Sequence, residues 1–286
     1  MRAARDERDL SPAVCQRRSD KSADCTSTND SKMHSSLFTQ NGEEPRRARS
    51  RTPKRTAKAP PSRVRAAYAQ EELIVKVGIL GSGAVAQSLG AGFALHGHSV
   101  MLGTRDTARL LEWQQQHPGT ALGAVAEAAA FGELLVLAVK GLAAAVPLRA
   151  AGEANLRGKT VIDTTNPTAD APPINGVLQF FTGSNESLME QLQKEFATAS
   201  FVKAFSSVGN TQFVNPRYAE GRPTMFICGN GDESKATVTR ILDQFGWDTA
   251  DMGTAEAARA IEPLCMLWCI LGFTHNEWTH AFKLLR

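Results

Sequence analysis

The stretch VGILGSGAVAQSLGAGF, residues 77–93, constrains the fold more than any other part of the chain. An apolar strand here breaks into Gly81-Ser82-Gly83 and passes at once into a helix. Strands that are apolar on both faces belong to parallel sheets covered on both sides. Gly81-Ser82-Gly83-Ala84-Val85-Ala86 fits the Ala variant of the G-x-G-x-x-G fingerprint, in the strand-to-helix context that gives such a match meaning. Each small residue has a task. Gly81 makes the tight turn, Gly83 lets a pyrophosphate approach the backbone, and Ala86 lets the helix lie close on the strand. Val85, Leu89, Gly92 and Phe93 then form the stripe that packs on a sheet, while the helix N-terminus favours phosphate.

The texture repeats downstream. Strands are expected at 74–80, 99–103, 134–139, 160–164 and 201–205, with helices near 84–96, 106–116, 124–131, 141–152 and 187–197. This alternation predicts an α/β fold, a Rossmann-like doubly wound parallel sheet spanning residues 73–205. Residues 206–286 are expected to form a smaller C-terminal α+β lobe for substrate or dimer contacts, with a strand at 224–229, a helix near 232–245, the short WDTAD and an apolar helix from 255 to 271. A homodimer through that last helix is compatible with its composition.

Residues 1–72 read differently. The net charge of +3 divides into +8 over residues 1–70 and −5 over the rest. The N-terminal part lacks apolar periodicity and cannot offset ordering entropy, so it is expected to be a disordered basic extension. Pro45–Arg65 holds nine basic residues and no acidic one. Nucleic-acid binding or targeting is the alternative to a solvated tail there, and the solvated tail is the expectation adopted. No uninterrupted apolar run reaches about 18–20 residues, so no membrane span is expected. An odd set of five cysteines without framework spacing suggests a reducing, cytoplasmic compartment.

The second strand ends in Gly103-Thr104-Arg105, where an NAD-selective site would carry an acid. A hydroxyl on Thr104 and the guanidinium of Arg105 suit a 2′-phosphate instead, which predicts NADP(H). Arg109 either adds a second cation or is a solvated helix-face charge. Ala138-Val139-Lys140 lies at the carboxyl edge of the sheet, where ligands bind in such folds. Lys140 is read as touching a phosphate or the second substrate, or as a plain surface lysine. The loop 163–187 and the segment 204–210 leave the same edge, and Asn166, Ser207 and Asn210 offer hydrogen bonds. Asp163 reads as a loop-capping carboxylate. His96 and His98 read as loop residues at the opposite edge. Cys265 and Cys269, followed by His275 and His280, have a zinc-like look, but PLCMLWCILGF is apolar on every face and the thiols read as small core hydrophobes. No metal site is assigned.

VGILGSGAVAQSLGAGF, VMLGTRD, LAVKG, VIDTTNP, VKAFSSVGN and MFICGN together resemble the coenzyme F420-dependent NADP oxidoreductase family over about residues 74–286. The resemblance implies NADP contacts at Gly81–Ala86, Thr104, Arg105 and Arg109. It places Ala138–Lys140 beside the cofactor and Ser206–Asn210 where nicotinamide and deazaflavin meet, so that Ser207, Val208, Gly209 and Asn210 would position the hydride transfer. Two residues depart from the pattern: Ser206 stands where close relatives tend to have Asn, and Gly209 where archaeal reductases have Pro. The second departure leaves the acceptor open between F420, a flavin and another small redox co-substrate. A reductase of an imine, ketone or small acid is the alternative enzyme, and a non-catalytic NADPH-binding sensor or scaffold is the alternative from another class.

Overall fold

The computed structural model describes residues 73–286, which belong to a single compact unit. The expectations about the basic tail fall outside the described residues. Six strands, β1 (Lys76–Leu80), β2 (Ser99–Gly103), β3 (Thr120–Gly123), β4 (Leu134–Leu137), β5 (Thr160–Asp163) and β6 (Ser200–Lys203), form one sheet in the order β3-β2-β1-β4-β5-β6. Every pairing is parallel, so all six carboxyl ends lie along one edge. The Rossmann-like expectation is met. β3 was not anticipated, and the other strands end within a few residues of their expected limits.

Alternate side chains of these strands feed two cores, one on each face. Val77, Ile79, Val136, Ile162 and Val202 pack on one side with α1 (Ala84–Leu95) and, from later in the chain, α7 (Asp232–Gln244). Leu80, Leu135, Leu137, Val161 and Phe201 pack on the other side. They meet α3 (Val125–Phe131), α4 (Ala145–Ala151), α6 (Leu188–Glu195) and the start of α8 (Ala258–His275). Two short helices, α2 (Leu111–Gln116) and α5 (Glu153–Leu156), complete the crossovers.

The C-terminal segment adds a βαβ unit. β7 (Thr224–Ile227) and β8 (Asp248–Asp251) pair in parallel around α7. β7 also touches the main sheet through an antiparallel bridge between Lys203 and Cys228. Met225, Ile227, Val238 and Trp247 share a core with Val202 and Ile79. At the opposite edge of the sheet His98 is buried in its loop, where its Nδ1 accepts from the Val75 amide at 3.2 Å and its Nε2 meets Gln244 Oε1 at 3.1 Å.

Helix α8 has two characters. Ile261, Glu262 and Trp268 are buried, whereas Leu267, Leu271 and Phe273 are 54%, 37% and 47% exposed. By length and composition alone, Ala255–His275 would suffice to cross a membrane, although Arg259 and Glu262 interrupt its apolar run. These charges keep its uninterrupted apolar stretch below the length of a span.

Trp247 anchors the βαβ unit: it is 2% exposed and its indole N–H donates to the Phe213 carbonyl at 2.8 Å. Trp247→Ala removes that volume and the donor together, so a loss of about 3–5 kcal/mol is expected, read as a lowered urea midpoint in circular dichroism.

Candidate nucleotide site

The site begins where β1 ends. Gly81 has φ +149°, and a Cβ placed on it would lie 2.1 Å from the Ala138 carbonyl oxygen. Only glycine lets the chain turn beside the end of β4 at this distance. The Gly81 amide donates to the Gly103 carbonyl at 3.1 Å, and the Ala138 amide to the Leu80 carbonyl at 3.1 Å. Three strand ends are thereby locked into one rim. Gly83, the residue before α1, is the converse case: a Cβ there would meet nothing within 4 Å. No side chain caps the first turn of α1, so its amides face an open cradle. Ala86 is fully buried beneath it, against the sheet.

Around this cradle opens a crevice of about 630 Å³. Gly81, Ser82, Gly83, Ala84 and Val85 line it from the turn, Gly103, Thr104 and Arg105 from the end of β2, and Ala138, Val139 and Lys140 from the end of β4. Thr164 joins them from the end of β5. The walls also include Val125 from α3 and Val146, Pro147 and Ala150 from α4, which sequence reasoning had not singled out. In an alanine-rich helical segment they carry no sign that distinguishes a ligand-facing residue from a core one.

Thr104 is held by a local turn. Its Oγ1 accepts from the Asp106 amide, and Asp106 Oδ1 in turn accepts from the Ala108 amide. Arg105 is exposed and, among the described residues, makes no ion pair, as is also true of Lys140 and Arg109. Arg105 and Lys140 therefore present free positive charge to the crevice. Arg109 is exposed but is not part of its lining.

The remaining expected residues assemble beside the crevice rather than in its wall. Asn166 Nδ2 donates to the Ser206 carbonyl at 2.8 Å, joining the exits of β5 and β6. Asn210 Nδ2 donates to Ser88 Oγ at 2.9 Å, tying the segment to α1. Ser207 is buried, Val208 packs on the core, and Gly209 lies against the Trp268 ring, where a Cβ would come within 2.9 Å. Phe205, just after β6, adopts φ +60°, a conformation costly for a bulky residue, and its amide points at Met225 Sδ. Two polar atoms here are buried without a partner: Asn166 Oδ1 and Ser206 Oγ.

Beneath this rim lies a buried ion cluster that the sequence reading missed. Lys203 Nζ meets Asp163 Oδ2 at 2.7 Å and Glu262 Oε1 at 2.9 Å. Asp163 does cap its loop, since its Oδ1 accepts from the amide and hydroxyl of Thr165, but its second oxygen is committed to the lysine. The available signal was a lysine inside the apolar strand FVKAF, which burial forbids without acidic partners.

The family model described as NADP oxidoreductase, coenzyme F420-dependent, matches residues 76–167. A solved structure from Arthrobacter sp. FB24, titled as a candidate F420-dependent NADP-reductase, is 33% identical, with a TM-score of 0.70 over 74% of this chain and all of that one. The chain belongs to the coenzyme F420-dependent NADP oxidoreductase family. It is thus an NADP-dependent oxidoreductase. Metalloreductase STEAP3 from Rattus norvegicus is 31% identical over 193 residues, 66% of this chain and 36% of that protein, so the chain spans just over a third of this relative's length. A reductive aminase from Aspergillus terreus solved with NADPH is 20% identical with a TM-score of 0.52, covering 71% of this chain and 64% of that one, a likeness of fold.

The residues present fit the dinucleotide. The empty space over Gly83 leaves room for a phosphate bridge, and the unpaired Arg105 suits an additional phosphate. Gly83→Val should weaken NADPH binding at least tenfold, about 1.4 kcal/mol, in calorimetry while leaving the melting temperature of the empty protein unchanged. Gly81→Val should lower that melting temperature itself. Arg105→Glu should reverse the preference for NADPH over NADH, measured as the ratio of the two dissociation constants.

Proposed function

We propose that the protein transfers a hydride between NADP(H) and a flat second redox cofactor, the deazaflavin F420 or a flavin. The observation that carries this reading is the segment Phe205–Asn210: it is strained at Phe205, buried through Ser207, half-buried from Val208 to Asn210, and fixed to both α1 and the β5 exit, yet offers only hydroxyls, an amide and apolar surface. Chemistry between two redox cofactors needs placement and dryness more than acid or base from the protein.

When bound, NADPH supplies the hydride and becomes NADP⁺, while the acceptor takes the hydride and one solvent proton. The chain's own part is to hold and to exclude. Arg105 and Thr104 bind the adenosine phosphate, and the amides over Gly83 receive the bridging phosphates. Asn166 Oδ1 and Ser206 Oγ, the two unsatisfied polar atoms, suit the donor and acceptor of a carboxamide and would set the orientation of the nicotinamide ring. Val208 and Gly209 supply the apolar flank against which the ring lies, and Asn210 holds that flank to α1.

The reading includes a cytoplasmic location and a homodimer through the exposed face of α8 carrying Leu267 and Leu271. Stopped-flow oxidation of NADPH against F420, FMN, FAD, ferric chelates and simple carbonyls tests the acceptor class. A fast phase with F420 or a flavin is expected. A fast phase with carbonyls alone would replace this reading with a carbonyl or imine reductase.

A further inference from the structure

Lys203 is completely buried, and its ammonium has a partner for each of its three protons: Asp163 Oδ2 at 2.7 Å, Glu262 Oε1 at 2.9 Å and the Thr165 carbonyl at 2.8 Å. Burial by itself lowers the lysine's pKa, but the two carboxylates outweigh it and raise it, so the lysine stays charged. The acids are equally occupied. Asp163 Oδ1 takes the amide of Thr165 at 2.9 Å and its hydroxyl at 2.7 Å. Glu262, arriving from α8, takes the Leu188 and Met189 amides at 3.0 Å in the first turn of α6. The cluster carries one net negative charge, offset by the positive end of that helix.

A buried ion cluster is weak evidence for added stability, because well-packed apolar residues would serve as well. What this one does is geometric. Thr165 is gripped at its amide, its hydroxyl and its carbonyl, and it stands between two residues of the site. Thr164 on one side lines the crevice and bonds the Leu137 carbonyl through Oγ1 at 2.9 Å. Asn166 on the other side bonds Ser206, and its carbonyl lies so close to Gly141, the neighbour of Lys140, that a Cβ there would come within 1.9 Å. Two residues beyond Lys203 the chain enters the strained Phe205. A residue in that conformation persists only where its surroundings over-determine it.

We propose that Lys203, with Asp163 and Glu262, is a positioning device: it acts through Thr165 to hold Thr164, Asn166 and Ser206 in the arrangement that orients the nicotinamide ring. Lys203 touches no ligand in this scheme. The inference rests on the reading given under Proposed function for Asn166 and Ser206, but it concerns the bound dinucleotide and not the identity of the acceptor.

The test is the fluorescence of NADPH bound to the full chain, compared in the natural protein, Lys203→Met/Glu262→Gln and Thr165→Val. The natural protein should bind NADPH and shift and strengthen its nicotinamide emission. In the double variant the dissociation constant should stay within about threefold, since Gly83 and Arg105 are untouched, while the emission change falls by half or more. A merely structural role would instead lower the unfolding midpoint with the emission of the bound, folded fraction unchanged, and that result overturns the proposal. Should the double variant fail to fold in circular dichroism, Thr165→Val decides: it keeps every ion pair and removes one grip, and an unaltered bound spectrum in it also overturns the proposal. Absence of any NADPH binding by the natural protein would instead overturn the function on which the proposal rests.

Discussion

The parallel ladder between β1 and β4 is the constraint on which the rest depends. Strand order reverses there, so the connection from β1 leaves to one face and that from β4 to the other. No main chain crosses the gap between them, and a crevice opens at the carboxyl edge. Because all six strands are parallel, every loop that could carry chemistry emerges beside that gap. The contact between Gly81 and the Ala138 carbonyl is the local form of the same constraint: the two strand ends are held so closely that no side chain fits between them. A glycine-rich turn and a free guanidinium are then delivered to one rim by topology alone.

How much of this was legible in the sequence depended on how local the cause was. The turn at 81–86 could be read because tight backbone geometry permits few residue types, and it stands where expected. The strands could be read from apolar runs, except β3: TALG has no such run and owes its conformation to pairing with β2. Arg105 follows from the position after β2, whereas Arg109, four residues on, is not part of the crevice lining. The apolar wall of Val146, Pro147 and Ala150 was hidden because a residue lining an apolar crevice and a residue facing a core obey the same preference. The Lys203 cluster was hidden for the opposite reason: its three members come from distant stretches, and only folding brings them together.

The site divides its labour between two kinds of contact. Around Gly81 and Gly83 the crevice offers main-chain amides, a helix end and an unpaired cation. Around Asn166 and Ser206 side chains act, and they are held by a second layer that reaches β5, β6, α6 and α8. The outward face of α8 is apolar and exposed, while its inward face places Glu262 in the most buried charged cluster among the described residues. One helix thus joins the surface of the molecule to the buried ion cluster at the exits of β5 and β6.

That Glu262 arrives so late in the chain has a consequence for biosynthesis. A ribosome delivers Asp163 and Lys203 well before α8 emerges, so during translation the ammonium and the first turn of α6 each lack an acceptor that α8 supplies. The nascent sheet is therefore assembled around an incomplete charge arrangement until α8 joins it.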